Sequence, residues 1–197
     1  MIIGLNHRNA LLIVRRMKRA LILIAFTAMA AAPVMAQTTP SGSAFGLLIG
    51  GAQQLQGGVS FKFSNSVREV FYETTLEPDT MLRFKIGQIE APVTLRDDSL
   101  AVPTNISGNG KIDHADILVD YRFSEVFGST GLFAGPGYYR QRLNGQEESN
   151  YGLCAGVNGS FPMNRRYALV LEATYHWINF HDRARYLTAT GGVKISF

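Results

Sequence analysis

The sequence predicts an all-β protein that folds as an antiparallel up-and-down β-barrel of eight strands. From Ser43 to the C-terminus, apolar and polar residues alternate with a period of two, as on a strand with two different faces, and helical spacing is nowhere sustained. Turn-forming clusters separate segments of about ten residues, a length at which tilted strands cross a bilayer. Strands of soluble sheets average about five or six residues. The pattern therefore favours a transmembrane barrel.

The first 36 residues have the three-part layout of a cleaved secretory signal peptide. A cationic stretch at 15–19 precedes an apolar run at 20–32, and Pro33 ends the run. Ala36 is a small residue of the kind found before a cleavage site, so cleavage is predicted between Ala36 and Gln37. The apolar run is about two-thirds of the length that a membrane-spanning helix needs, which disfavours a retained anchor.

Removal of this leader changes the charge of the protein. Five of the 19 basic residues and none of the 15 acidic residues precede Gln37, so the mature chain carries 14 basic and 15 acidic side chains. The precursor's net charge of +4 therefore belongs to the leader, and we expect no nucleic-acid partner. Cys154 is the only cysteine, so it has no internal disulfide partner, and we interpret it as a small strand residue.

Four strands stand out in the C-terminal half of the chain. The last strand, 185–197, alternates strictly, and its apolar face consists of Leu187, Ala189, Gly191, Val193, Ile195 and Phe197. The segments 167–178, 151–161 and 112–123 alternate in the same way. Each is therefore predicted to have one apolar face and one more polar face, which in a membrane barrel are the outer and the inner face.

The N-terminal part contains three alternating stretches, at 43–51, 57–63 and 67–76. Apolar residues have odd numbers in the second stretch and even numbers in the third, so the phase changes between them. A bulge at Ser64-Asn65-Ser66 explains this change and joins the two stretches into one strand, 57–76. The chain then has an even number of strands, eight, as single-chain bacterial barrels do.

Residues 37–42 are predicted to be a short polar lead-in and 43–197 the barrel domain. Gaps between strands alternate in length: the short ones are 77–80, 124–129 and 162–166, and the longer or more polar ones are 91–110, 142–148 and 179–184. This alternation is typical of tight periplasmic turns and long external loops. The 91–110 loop, which contains Arg96, Asp97 and Asp98, is the best candidate surface for a partner that the sequence does not identify.

Charged residues on the predicted inner faces nearly balance in sign. The predicted lumen charges are Arg83, Lys85, Asp116, Asp120, Arg122, Arg140, Glu172 and Lys194, with Lys62, Glu69 and Glu73 as further candidates. The interior of an eight-stranded barrel is just wide enough for side chains to fill it, and buried charges must pair. We therefore expect a packed, ion-paired lumen rather than the open pore of a narrow porin.

The C-terminal Gly191-Gly192-Val193-Lys194-Ile195-Ser196-Phe197 resembles the terminal strand of bacterial outer-membrane barrels. The mature chain is similar in size and pattern to the outer-membrane β-barrel domain family, in particular to small OmpA/OmpX-like eight-stranded barrels. The resemblance implies location in the cell outer membrane, contact with outer-membrane lipid and recognition by the barrel-assembly machinery, with Val193, Ile195 and Phe197 as the assembly signal. The predicted signal peptide implies transport by the export pathway, and we expect a monomer.

No constellation for catalysis, a cofactor or a metal is visible in the sequence. His176 and His181 lie five residues apart without an evident third ligand, so no metal site is expected. Outer-membrane lipid A deacylases use a His-x-Ser pair, but Ile178 and Arg183 stand two residues after these histidines. Glu172 and His176 share a face but lie about 13 Å apart on an extended strand.

We therefore expect a non-enzymatic membrane barrel that is structural or interacts through its external loops. The main alternative is a soluble periplasmic barrel that binds a small apolar ligand, which requires the apolar face to point inward and the charges outward. A narrow porin and a lipid-modifying outer-membrane enzyme are less favoured alternatives. Alternation alone does not distinguish an apolar exterior from an apolar interior.

Overall fold

The computed structural model describes residues 42–55, 65–97, 104–125, 128–180 and 184–197. The signal peptide predicted at 1–36 and its cleavage site at Ala36 and Gln37 lie outside these residues. Among the described residues, no helix is long and apolar enough to cross a membrane.

Eight antiparallel strands form one closed barrel, which confirms the predicted fold class and strand count. They are β1 (Ala44–Gln54), β2 (Asn65–Glu77), β3 (Thr80–Asp97), β4 (Thr104–Glu125), β5 (Gly128–Leu143), β6 (Gln146–Pro162), β7 (Tyr167–Ile178) and β8 (Arg185–Ser196). Each strand pairs with the next along the chain, and β8 pairs with β1 along the whole length of β1. This last pairing closes the sheet into a ring, and the Phe197 backbone N–H extends it by donating to the Ser43 carbonyl at 3.0 Å.

The two ends of the barrel differ. The turn end carries the connections β2–β3, β4–β5 and β6–β7 together with Gly42 and Phe197. The loop end carries the connections β1–β2, β3–β4, β5–β6 and β7–β8. All four strands clear in the C-terminal half of the sequence are present, and 112–123 proves to be the C-terminal half of the longer β4.

The prediction of a bulge at Ser64-Asn65-Ser66 is wrong at Asn65 and Ser66, the two of these residues that the structure describes. β1 and β2 pair without interruption from Ala44↔Glu73 to Ala52↔Asn65. Residues 56–64 lie outside the described part, so the strand predicted at 57–76 is seen only from Asn65 onward. β2 carries apolar side chains on both faces, since Phe71 points inward while Val70 points outward. An apolar residue therefore does not mark one face of this strand.

Two of the predicted long loops are largely strand. β3 continues to Asp97 and β4 begins at Thr104, so most of 91–110 is a hairpin. Likewise β5 and β6 are joined directly by Asn144 and Gly145, whose φ angles of 51° and 84° are left-handed. Such two-residue turns match the twist of paired strands, which explains why polar residues at 142–148 do not form a loop.

The β3–β4 arm, defined as residues 90–97 and 104–110, extends beyond the barrel wall. Among the described residues, pairing of β3 with β2 ends at Ile89, and pairing of β4 with β5 ends at Lys111. The arm nevertheless touches lumen side chains of distant strands: Tyr186 Oη donates to the Pro92 carbonyl at 3.1 Å, and Gln141 Nε2 donates to the Thr94 carbonyl at 3.3 Å. The arm therefore lies across the loop end of the barrel.

Candidate functional site

The barrel lumen holds most of the buried charge among the residues that the structure describes, and it is the candidate functional site. Among the predicted lumen charges, those that the structure places inside are Arg83, Lys85, Asp116, Asp120, Arg122, Glu172 and Lys194. Glu69 and Glu73 lie there as well. Strand alternation explains this placement, because residues two apart on each strand point to the same side of the wall.

Arg83 is the centre of the network at the turn end. Its guanidinium lies 2.9 Å from Glu73, 3.0 Å from Asp120 and 2.7 Å from Glu172. The side chain is 1% exposed. Its guanidinium carbon also stands 4.6 Å from the centre of the Phe71 ring, which explains why this aromatic residue faces a charged interior.

Further cations compensate the same carboxylates. Arg122 and Lys194 reach Glu73 at 2.5 Å and 3.0 Å. Lys85 bonds to Glu172 and lies 3.5 Å from Glu69. These Arg and Lys side chains thus share one desolvated space with the carboxylates, and each has at least one carboxylate partner.

A separate layer of polar side chains lies next to this ionic network, on the side of the loop end. His114 Nδ1 is 2.8 Å from Asp116 Oδ2, and the Tyr139 hydroxyl is 3.0 Å from His176 Nδ1. Cys154 joins them, because its sulfur, an Asp116 carboxylate oxygen and a His176 ring nitrogen all lie within 4.8 Å of one another. The sequence showed no third ligand for His176 because the other two groups come from β4 and β6, far apart along the chain. The signal available in the sequence was that all three residues occupy inward-facing positions of their strands.

The loop end of the lumen is filled by apolar side chains. This apolar layer consists of Ala52, Val67, Ile89, Ala91, Val93, Leu95, Ile112, Tyr139, Leu143, Ile178, Phe180, Ala184 and Tyr186, with Ile106 packed against it. The members from the β3–β4 arm, such as Val93 and Leu95, are no more than 2% exposed. The arm and the apolar layer therefore close the lumen on this side.

The structure places Arg140 on the outer wall and not in the lumen. On β5 the side chains of Tyr139 and Gln141 point inward, so Arg140 between them points outward. There it lies 3.3 Å from Asp113, which Arg142 also approaches at 2.6 Å. The adjacent Tyr138 and Tyr139 made both faces of β5 equally aromatic, so the sequence did not reveal the phase of this strand.

The outer wall is apolar over its central band. Exposed large apolar side chains there include Phe45, Leu47, Ile49, Ile86, Val119, Leu132, Leu153, Val157, Leu169, Leu171, Val193, Ile195 and Phe197. Of the predicted assembly residues, Val193 and Ile195 are each 42% exposed and Phe197 is 68% exposed. This polarity is the reverse of the one that a soluble ligand-binding barrel requires, so that alternative disagrees with the structure.

Three solved structures share this fold at low sequence identity. Neisserial surface protein A (NspA) has a TM-score of 0.54 and 13% identity, covering 80% of this chain and 97% of that chain. A major outer membrane protein from Thermus thermophilus has a TM-score of 0.54 and 12% identity, covering 81% and 100%. The N-terminal β-barrel domain of Pseudomonas aeruginosa OprF has a TM-score of 0.51 and 11% identity, covering 80% and 100%.

No protein-family model matches the chain, and neither does any curated protein sequence. The similarity to solved structures concerns the fold, and at this level it confirms the resemblance to small outer-membrane barrels that the terminal strand predicted.

Proposed function

We propose that this protein is an integral outer-membrane β-barrel with a non-enzymatic role, either structural or in surface interaction. The observation that carries the proposal is the polarity of the wall. Large apolar side chains such as Ile49 and Leu171 are exposed, whereas Arg83, Lys85 and Asp120 are buried. A bilayer stabilises an apolar exterior that water would disfavour, and it leaves charges to the lumen.

The height of the apolar band agrees with a membrane. Aromatic side chains stand on the outer wall at both of its edges, with Tyr167 toward the turn end and Trp177 toward the loop end. These two residues are ten positions apart on β7, a rise of about 34 Å along the strand, which a tilt of about 45° reduces to about 24 Å. Outer-membrane barrels have an apolar band of about 25 Å between aromatic girdles.

The proposed interaction surface is the loop end. The β3–β4 arm projects past the wall there, and its outer edge carries polar residues such as Asn105, Ser107 and Asn109. A cleft of 320 Å³ separates the base of the arm from the β5–β6 turn and is lined in part by Lys111 and Arg142. This hairpin, which occupies most of the loop predicted at 91–110, is the element that we propose meets a partner.

Membrane extraction tests the proposal. Protein expressed with its leader is expected to stay in the membrane fraction after a carbonate wash and to migrate faster on a gel before boiling than after it. Release of folded protein into the soluble fraction would contradict a membrane role.

A pair of variants makes this test specific. Leu171→Arg places a charge near the middle of the apolar band and is expected to cost about 2–4 kcal/mol of stability in lipid. Ser149→Arg introduces the same side chain at an exposed outer position beyond the band and is expected to have little effect. Equal effects of the two variants would show that the band does not face hydrocarbon.

The lumen supports a barrel that does not conduct. The ion pairs at the turn end and the apolar layer at the loop end leave the interior filled with side chains. Purified protein in planar bilayers is expected to give no large steady conductance, and stable channels of porin size would overturn this part of the proposal.

We also retain Val193, Ile195 and Phe197 as the proposed assembly signal. Their exposure on the outer wall of β8 leaves them accessible before the barrel closes on β1. Deletion of Phe197 is expected to reduce membrane-assembled protein in cells while refolding in detergent stays nearly normal. Equal losses in both settings would indicate a packing role alone.

A further inference from the structure

The layer between the ionic network and the apolar layer contains an arrangement that neither of them explains. Asp116 on β4, Cys154 on β6 and His176 on β7 meet inside the lumen, and their potential ligand atoms lie within 4.8 Å of one another. All three side chains are buried, with at most 2% exposed. Cys154 and His176 are direct cross-strand partners, so the fold fixes their proximity.

The wall between these strands is shaped to let Asp116 reach the other two groups. β5 separates β4 from β6, and its residue opposite Asp116 is Gly137. A Cβ atom at Gly137 would lie 2.2 Å from Asp116 Oδ1, so any larger residue would occupy the place of the carboxylate. The absence of a side chain there creates the space in which Asp116 turns toward Cys154.

The cluster also contains unsatisfied ligand capacity. Within the described residues, Asp116 Oδ1 is buried and has no hydrogen-bond partner, while Oδ2 is held by His114 at 2.8 Å. The Cys154 sulfur makes a long contact, 3.7 Å from the Gly135 carbonyl. A carboxylate oxygen without a partner in a desolvated site is costly unless a cation completes it. His114 thus positions Asp116 in the way that outer-shell partners orient metal ligands.

We infer that Asp116, Cys154 and His176 form a binding site for a single Zn²⁺-type cation inside the barrel. Sulfur, imidazole nitrogen and carboxylate oxygen are the three ligand types that Zn²⁺ takes, and a thiolate with a carboxylate neutralises its charge. Bonds of about 2.0–2.3 Å place tetrahedral ligand atoms about 3.5 Å apart, so the cluster needs to contract only by about 1 Å. The Tyr139 hydroxyl, 3.0 Å from His176 Nδ1, is an outer-shell partner that orients the imidazole ring.

Binding at this position joins three strands through one ion. The thiol proton of Cys154 leaves to solvent as the thiolate forms, so affinity falls as pH is lowered. The layers on either side close the lumen, which makes the bound ion structural and suits insertion of the metal before or during closure of the barrel.

Refolding of the mature protein in the presence of metal tests the inference, because the metal enters before the barrel closes. Protein unfolded with a chelator is refolded at increasing concentrations of Zn²⁺ and separately of Co²⁺, and its folding is verified by heat-modifiable mobility. We expect about one metal ion per chain and a thiolate-to-cobalt charge-transfer band in the near ultraviolet. A folded barrel that binds no metal, or binds cobalt without this band, would overturn the site while leaving the proposed membrane role intact.

Variants assign the ligands. Cys154→Ser, Asp116→Asn and His176→Gln are each expected to weaken Zn²⁺ binding by about 100-fold or more, and Cys154→Ser abolishes the charge-transfer band. Thr190→Val is the matched control, because Thr190 is also buried in the lumen and its hydroxyl has no partner within the described residues. Unchanged affinity in the three ligand variants, or equal loss in the control, would refute the assignment.

X-ray absorption at the zinc edge of the wild-type protein does not depend on how the variants fold. One sulfur with nitrogen and oxygen neighbours is the expected coordination. Coordination by nitrogen and oxygen alone would exclude Cys154 and overturn the site.

Discussion

The two ends of the lumen are stabilised in opposite ways. At the turn end, Arg83 and its neighbours form a network of ion pairs between strands as distant as β3 and β7. At the loop end, the members of the apolar layer among the described residues carry no charge, and they include residues of the β3–β4 arm. Both ends exclude water, but the first depends on directional contacts between individual groups and the second on the area that is buried.

The two ends therefore contribute differently to the stability of the barrel and to the specificity of its strand arrangement. Apolar burial contributes roughly 25 cal/mol per Å² whatever the partners are, so the loop end tolerates small adjustments of packing. A buried guanidinium with three carboxylate partners allows less adjustment, because a small displacement weakens several directional ion pairs in a desolvated space. The ionic end is therefore expected to fix the relative positions of the strands, and the apolar end to hold the arm over the opening.

Removal of Arg83 should have the largest effect. Arg83→Met keeps much of the side-chain volume but removes the cation that Glu73, Asp120 and Glu172 share. We expect a loss of about 3–5 kcal/mol in the free energy of unfolding, measured by urea denaturation in lipid vesicles. A loss below about 1 kcal/mol would show that the two ends do not differ in the way described.

A cavity at the apolar end should lower the free energy of unfolding by somewhat less than Arg83→Met does. Ile112 is 0% exposed and belongs to the apolar layer, so Ile112→Ala is expected to lower the free energy of unfolding by about 2–4 kcal/mol. Ile86→Ala on the outer wall is the control, since Ile86 is 60% exposed and contacts the surrounding lipid or detergent. Similar losses in both variants would indicate that burial within the barrel is not the cause.

The contact that holds the arm can be weakened without making a cavity. Tyr186→Phe removes the hydroxyl that donates to the Pro92 carbonyl and leaves the ring in the apolar layer. We expect a loss of about 1 kcal/mol and faster hydrogen exchange of backbone amides in the arm, with exchange at the turn end unchanged. Uniformly faster exchange would instead mean that Tyr186 supports the whole barrel.

The smallest effect is expected from the ion pair on the outer wall. Arg140→Met removes a contact between side chains that are 43% and 26% exposed, and Arg142 remains beside Asp113. Exposed ion pairs contribute at most about 1 kcal/mol, so the free energy of unfolding, measured with urea, should fall by no more than that. A loss as large as that of Arg83→Met would mean that Arg140 is not on the outer wall.

The sequence by itself determined the architecture of this protein. A period of two over segments of about ten residues specifies strands with two different faces, and an even number of such strands closes without an edge. The inward phase of Arg83, Lys85 and Glu172 followed directly, because neighbours on each strand are apolar and the charges lie between them. Because alternation is a local property of the chain, the sequence pattern alone was sufficient to predict which side of the wall these residues face.

The tertiary structure alone decided which groups meet. Asp116, Cys154 and His176 lie on three different strands, and their convergence depends on register and on the small Gly137 between them. The outward position of Arg140 and the bulge-free start of β2 were also decided by pairing, since both faces of these strands carry apolar or aromatic residues. The arm over the loop end depends on contacts with β5 and β8, which no local pattern encodes. Contacts between side chains far apart in sequence arise only when the barrel closes, because closure fixes register around the whole ring.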